Sequence, residues 1–100
     1  MRDWLETNHA TSDELWAGIY KKGSEMRGIT LPEAQGVAMC FGWVDSMSRR
    51  IDDNSYMLRF TPRRPRSSWT TGNVLRAEEL LAQGLMHDAG IRVFERRRSR

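Results

Sequence analysis

Arginine and tryptophan side chains cluster in residues 59–73, between a strand-like run and a helix-like run. The segment holds four arginines, two prolines and one tryptophan. Each guanidinium group carries a fixed charge and a planar fork of N–H donors, so a cluster of them suits an anionic partner. The prolines restrict the backbone that displays these groups. We therefore expect a surface that binds an anion or an anionic partner, with seven candidate residues: Arg59, Arg63, Arg64, Arg66, Trp69, Asn73 and Asp45.

Two interpretations of this segment stay open. In the first, the arginines contact phosphates and Trp69 stacks on a base, which predicts a nucleic-acid or phosphate-binding protein. In the second, Trp69 packs at the start of a helix and the arginines pair with nearby carboxylates. The carboxylates available for such pairing are Asp45, Asp52 and Asp53.

Catalytic and metal chemistry have weaker support from the sequence. Asp45 could act as a general base, but no second carboxylate or histidine stands at a matching spacing, so pairing with an arginine is favoured. His9 and His87 are isolated in the sequence and form no metal-binding motif. Ser67 and Ser68 lack a neighbouring base, and the chain has no glycine-rich phosphate loop. We therefore expect a protein that is not an enzyme and has neither a cofactor nor a bound metal.

The composition is that of one small globular domain. The chain has 100 residues, of which 39% are apolar and 29% charged, and no run approaches the roughly 18 apolar residues that cross a bilayer. Cys40 is the only cysteine, so no internal disulfide is expected, and its apolar neighbours favour a buried thiol. The first residues lack the layout of a secretory signal, which predicts a cytoplasmic protein.

The charge is distributed unevenly along the chain. Residues 1–48 carry four basic and seven acidic side chains, whereas residues 49–100 carry twelve basic and six acidic ones. The basic half is therefore the half expected to contact a partner, which is an unknown protein, peptide or anionic ligand, with nucleic acid as the alternative. An interpretation without a binding role also stays open. Of the 16 basic residues 14 are arginines, and these can simply be solvated side chains on the protein surface.

Periodicity and capping signals predict seven elements. Thr30 and Glu33 form a capping box that starts a helix, and Gly42 stands where a left-handed cap would end it. Thr70 or Thr71 can cap a later helix that Gly84 ends. The expected elements are a helix over 3–9, a strand over 14–21, a helix over 31–41, a hairpin of strands over 43–51 and 56–61, a helix ending near 83 and a last helix from 88.

These elements predict an α+β fold. We expect a single domain over residues 1–95, with a small antiparallel sheet of about three strands packed against helices on one face, followed by a basic, disordered tail over 96–100. The strand over 14–21 has apolar residues on both faces, which predicts cover on both sides. In the next strand, Trp43, Met47 and Ile51 fall among one set of alternating positions. Because a sheet of three strands is small, a second copy of the chain could add strands to it.

Several blocks of the sequence follow the pattern of a known family. Residues 4–10, 15–16, 33–34, 40–45, 59–73 and 81–90 resemble the bacterial YdeI/OmpD-associated family, also described as bacteriocin-protection proteins. The blocks at 41–45 and 60–69 are the most specific, and the resemblance spans about residues 4–94.

The resemblance carries expectations about fold and function. It implies an α+β fold similar to YjbR and frataxin-like domains, and a non-enzymatic role in protection against bacteriocins or antimicrobial peptides. Members of the family usually add a strand before the first helix and a second segment rich in lysine and arginine. This chain therefore looks like the N-terminal module alone.

Overall fold

The computed structural model describes residues 1–21, 28–64 and 68–97 of the 100-residue chain. Four helices and one three-stranded antiparallel sheet occupy this part, which confirms the α+β fold class. Arg66 and the end of the basic tail, residues 98–100, lie outside the described residues. In chain order the elements are α1 (Arg2–Asn8), β1 (Leu15–Tyr20), α2 (Leu31–Cys40), β2 (Trp43–Arg50), β3 (Ser55–Pro62), α3 (Thr71–Ala82) and α4 (Asp88–Glu95).

The helix ends lie where the capping signals predict them. The Thr30 hydroxyl accepts from the backbone N–H of Glu33 at 3.3 Å, and it donates to the Glu33 carboxylate at 2.8 Å. The Thr70 hydroxyl accepts from the Asn73 N–H at 3.2 Å in the same way, which starts α3. Gly42, with φ of +77°, follows α2 in the left-handed conformation that glycine adopts without strain. Local sequence therefore sets the bounds of these two helices.

The sheet has the strand order β1-β3-β2, so β3 is central and pairs with both neighbours. One face of the sheet is covered: α2 lies against β2, while α1, α3 and α4 pack on α2. Phe60 of β3 and Trp43 of β2 are almost fully buried on this face, together with Ile19 of β1. The arrangement confirms helices on one side of an antiparallel sheet.

A bulge in β2 overturns the expected alternation of that strand. Asp45 pairs with Phe60, but Met47 pairs with the next residue of β3, Arg59, so Ser46 is an extra residue. Because side chains alternate with a period of two, one extra residue moves every following side chain to the opposite face. Met47 is consequently 52% exposed, on the face opposite to Trp43, and the expectation that the two share a face is wrong.

The face of the sheet that points away from the helices is called the open face below. None of its side chains belongs to the buried core of the described residues. The expectation that β1 is covered on both sides is therefore wrong for this part of the chain. By the pairing register, the open face comprises Trp16, Gly18 and Tyr20 of β1, Ser55, Met57, Arg59 and Thr61 of β3, and Val44, Met47 and Arg49 of β2.

None of the helices in the described part of the chain is long and apolar enough to cross a membrane.

Candidate functional site

Arg63 lies where β3 leaves the sheet, next to the end of α2. Its backbone N–H donates to the carbonyl of Gly42 at 2.9 Å, which ties the start of the basic segment to the cap of that helix. Trp43 pairs with Pro62 one residue earlier. The junction between α2 and β2, at Gly42 and Trp43, therefore fixes the backbone from which Arg63 projects.

The Arg63 side chain stacks on Trp69. Its guanidinium carbon lies 4.1 Å from the centroid of the indole ring, and the ring meets Phe94 of α4 edge to face at 5.3 Å. Trp69 is only 4% exposed and belongs to the hydrophobic core. The ring therefore packs inside the protein and cannot stack on a base, so the structure agrees with the packing interpretation of this tryptophan.

Two N–H donors at this place lack a partner. Neither Nε of Arg63 nor Nε1 of Trp69 finds a hydrogen-bond acceptor within residues 1–21, 28–64 and 68–97, although both atoms are buried. A buried donor without an acceptor costs on the order of 1–3 kcal/mol. Burial lowers the pKa of Arg63, and the negative charge of Asp45 partly opposes that effect.

The candidate arginines do not form one cluster. Arg64 is exposed, directly after Arg63, and makes no salt bridge with any described carboxylate. Arg59 instead lies on the open face, where its Nε donates to the Glu14 carboxylate at 2.7 Å. The structure thus brings Arg63 together with Trp69 and near Asp45, and it separates Arg59 from them.

The start of α3 adds to the positive potential beside this segment. Asn73 lies in the first turn of the helix, and no acidic side chain occupies that turn. The partial positive charge that a helix carries at its N-terminus is therefore uncompensated here. We call the residues Arg63, Arg64 and Trp69, with this helix start, the Arg63 site.

A histidine pair is the feature that the sequence did not reveal. The rings of His9 and His87 lie 4.7 Å apart, and both contact Phe41. The end of α1 and the start of α4 meet at Phe41, which brings together residues from the two ends of the chain. No local signal predicts this meeting, because the contact depends on how the helices pack.

Hydrogen bonds set the proton positions on these two rings. Nδ1 of His9 lies 2.7 Å from the carbonyl of Leu5 and must donate to it, whereas Nδ1 of His87 accepts from the N–H of Ala89 at 3.0 Å. A metal bound at Nε2 of His87 would require a proton on Nδ1, which would break this helix cap. The pair is therefore a structural contact, and no cluster of three or more metal-binding side chains occurs among the described residues.

Cys40 is buried at 2% exposure, as its apolar neighbours predict. Burial raises the pKa of its thiol, and the nearby guanidinium group of Arg2 opposes that effect. A buried, protonated thiol is a poor nucleophile, so Cys40 contributes packing rather than chemistry.

Comparison with known proteins places the chain in a family. The search of curated proteins gave no match, and neither did the search of solved structures. A family described as a domain of unknown function, DUF8412, matches residues 1–93, which is nearly the whole chain and includes the Arg63 site and every element of the fold except the last two residues of α4. The protein therefore belongs to the DUF8412 family.

Proposed function

We propose that this protein is a non-enzymatic binding module that contacts an anionic partner through the Arg63 site. The observation that carries the proposal is the placement of the Arg63 guanidinium group, which is held over a buried tryptophan at 4.1 Å from the ring centroid. The resemblance to bacteriocin-protection proteins suggests that the partner belongs to that kind of defence.

Preorganisation of Arg63 favours binding. A mobile arginine side chain loses rotamer entropy when it binds a ligand, whereas a side chain already stacked on a ring has lost much of its rotamer freedom before binding. Phe94 fixes the ring of Trp69 in turn, so the guanidinium group rests on a rigid base. Because Nε itself is buried, an anion would meet Arg63 through the terminal N–H groups of the guanidinium group, at little further cost in rotamer entropy.

The charges around the site favour an anion over a cation. Arg64 adds an exposed guanidinium group next to Arg63, and the acid-free first turn of α3 adds the positive end of a helix dipole. Asp45 is the opposing charge, and it is near enough to raise the pKa of Arg63. Two arginines against one carboxylate leave a net positive site.

The chemistry of the site favours a protein or peptide partner over nucleic acid. Base recognition at this place would require a free aromatic face, but Trp69 is only 4% exposed. Catalysis has little support, because no hydrogen bond or ion pair joins Asp45 to a histidine or a second carboxylate within the described residues. An acidic segment of a protein is the partner that these features fit best.

Binding of a fluorescein-labelled oligoglutamate peptide, followed by fluorescence anisotropy, tests the site. We expect Arg64→Ala and Arg63→Lys each to weaken binding about tenfold, since each removes charge-assisted hydrogen bonds from a planar fork. The matched control is the double variant Arg92→Ala/Arg96→Ala, which removes exposed charge from α4 and its end. Equal losses in the control would mean that only net charge matters, and would contradict the proposal.

A killing curve tests the protective role separately. A bacterial strain that lacks the protein should die at a lower bacteriocin concentration, and the wild-type chain should restore resistance. The Arg64→Ala variant should restore it only in part. An unchanged killing curve would reject the protective role while leaving the peptide-binding result to stand on its own.

A further inference from the structure

The open face of the sheet combines an accessible aromatic ring with unmatched positive charge. Trp16 is partly exposed on this face, and the guanidinium carbon of Arg49 lies 5.5 Å from its ring centroid. Arg49 reaches Trp16 across the central strand, because the register pairs it with Met57 rather than with a residue of β1. The pair therefore offers flat surfaces that solvent can reach.

Free space adjoins the aromatic ring. Gly18 lies two residues from Trp16 on the same face of β1, and a Cβ atom built on it would have no neighbour within 4 Å among the residues that the structure describes. Met57 stands opposite Gly18 in the register. A flat ring that stacks on Trp16 could extend into this gap towards the thioether of Met57 without moving the backbone.

The charge on the open face is positive. Arg49 makes no salt bridge with any described carboxylate, while Arg59 is paired with Glu14. A second copy of the chain is disfavoured as the occupant, because two open faces in contact would bring together two Arg49 side chains that no described carboxylate neutralises. An acidic peptide would satisfy the charges, but it would leave the ring and the gap at Gly18 without a flat partner.

We propose that the open face binds single-stranded nucleic acid. One base stacks on the platform formed by Trp16 and Arg49 and lies beside Gly18, and a phosphate contacts Arg49, which no described carboxylate neutralises. Single-stranded nucleic acid fits because every base has a π face for stacking, and arginine planes accept bases as aromatic rings do. The site goes beyond the function proposed above, since it lies on the opposite side of the sheet from the core that holds Trp69.

Fluorescence anisotropy with a labelled oligothymidylate of about 15 nucleotides tests the proposal, since single sites cover roughly 4–16 nucleotides. Trp16→Ala should weaken binding roughly 5- to 150-fold, the range for losing one stacked base, while Trp16→Phe should keep most of the affinity. Arg49→Gln should weaken binding and lower the salt slope by about 0.7. Arg92→Gln removes an exposed charge elsewhere and should change neither quantity.

A second variant keeps the test informative if Trp16→Ala destabilises the fold. Gly18→Val adds a strand-favouring side chain where the structure has open space, so the protein should stay folded, as circular dichroism can check. The valine would fill the gap beside Trp16 and should weaken oligothymidylate binding at least fivefold. Unchanged affinity in this folded variant would overturn the proposal.

Competition and mass measurements complete the test. The Arg63→Lys/Arg64→Ala variant weakens the Arg63 site and leaves the open face unchanged. This variant should bind oligothymidylate more tightly than an oligoglutamate of equal charge. Equal affinities would overturn the proposal in favour of an acidic peptide. A dimer in light scattering that dissociates on Trp16→Ala would overturn it in favour of a second copy of the chain.

Discussion

Trp16 and Trp69 each lie beside an arginine, yet their surroundings differ. Trp69 is 4% exposed, with Arg63 over its ring at 4.1 Å and Phe94 against its edge. Trp16 is partly exposed on a sheet face that no described helix covers, and Arg49 lies over it at 5.5 Å. The same chemical pair is thus part of the core in one place and part of the surface in the other.

The difference shows how burial changes what an arginine–tryptophan contact can do. A buried indole ring fixes its arginine, so the function proposed for the Arg63 site assigns the contact with a ligand to the arginine. An exposed ring keeps a face of its own, so on the open face the ring and the arginine can both take part. Residue type alone does not distinguish these two roles, because both pairs contain the same groups.

Truncating the two tryptophans should give the largest contrast. Trp69→Ala removes a buried aromatic side chain and leaves a cavity, which should lower the free energy of unfolding by about 3–5 kcal/mol. Trp16→Ala removes only cross-strand contacts on a solvated face and should cost about 1 kcal/mol or less. Urea unfolding measures both values. Similar losses would mean that the open face is covered in solution.

Replacing a glycine by alanine should change the free energy of unfolding in opposite directions on the two sides of the sheet. Gly90→Ala would press a Cβ atom into the backbone of Cys40, 2.5 Å from its carbonyl carbon, so α2 and α4 must separate. We expect a loss of about 1–3 kcal/mol in the free energy of unfolding. Gly18→Ala meets no neighbour and should stabilise the strand by roughly 0.5 kcal/mol. Thermal unfolding of both variants would show whether the signs differ.

Replacing Arg63 or Arg49 by alanine should give a smaller difference in stability between the buried and the exposed pair. Arg63→Ala uncovers a desolvated ring and should cost about 2 kcal/mol, the upper range of cation–π contacts. Arg49→Ala loses an exposed contact and should cost about 0.5 kcal/mol. Chemical denaturation provides the comparison, and an equal cost at both positions would contradict the distinction between a buried and an exposed pair.

The smallest effect is expected at the turn between β2 and β3. The Asp52 carboxylate accepts from the N–H of Asn54 at 2.8 Å and from the Ser55 hydroxyl at 3.0 Å, and these bonds lower its pKa. Because the pKa of Asp52 is lower in the folded state, its ionised carboxylate stabilises the folded protein at pH values above the ordinary aspartate pKa of about 3.9. This stabilisation is lost as the pH falls through the pKa that Asp52 has in the folded state.

The variant Asp52→Asn isolates that contribution. Its stability should fall below that of the wild type near neutral pH, and the gap should narrow as the solution is acidified below about pH 4. Thermal unfolding at a series of pH values measures the gap. A gap that widens in acid would mean that Asp52 does not titrate as its hydrogen bonds require.

Sequence reasoning succeeded where structure depends on neighbours in the chain. Thr30 and Thr70 act as caps, and Gly42 takes a left-handed conformation, because each depends on a few adjacent residues. It failed at Met47, since a bulge is one extra residue that no pattern in β2 marks. It missed the contact of His9 with His87 because that contact requires α1 and α4 to pack on the same phenylalanine.

The candidate site was predicted only in part, for the same reason. Charge and composition directed attention to residues 59–73, and the structure describes Arg63 there as a preorganised group. The burial of Trp69 and the separate location of Arg59 could not be predicted, because they depend on α4 and on Glu14, which are distant in the chain. The resemblance to bacteriocin-protection proteins stays a prediction about function.

By itself, the sequence determined the seven elements, their caps and the positive charge of the second half, because propensity, capping and charge are local properties. Only the tertiary structure decided which tryptophan is buried, which face of the sheet is open and which arginine lies over a ring. Those outcomes depend on packing between residues far apart in the chain, and a single bulge or helix position is enough to change them.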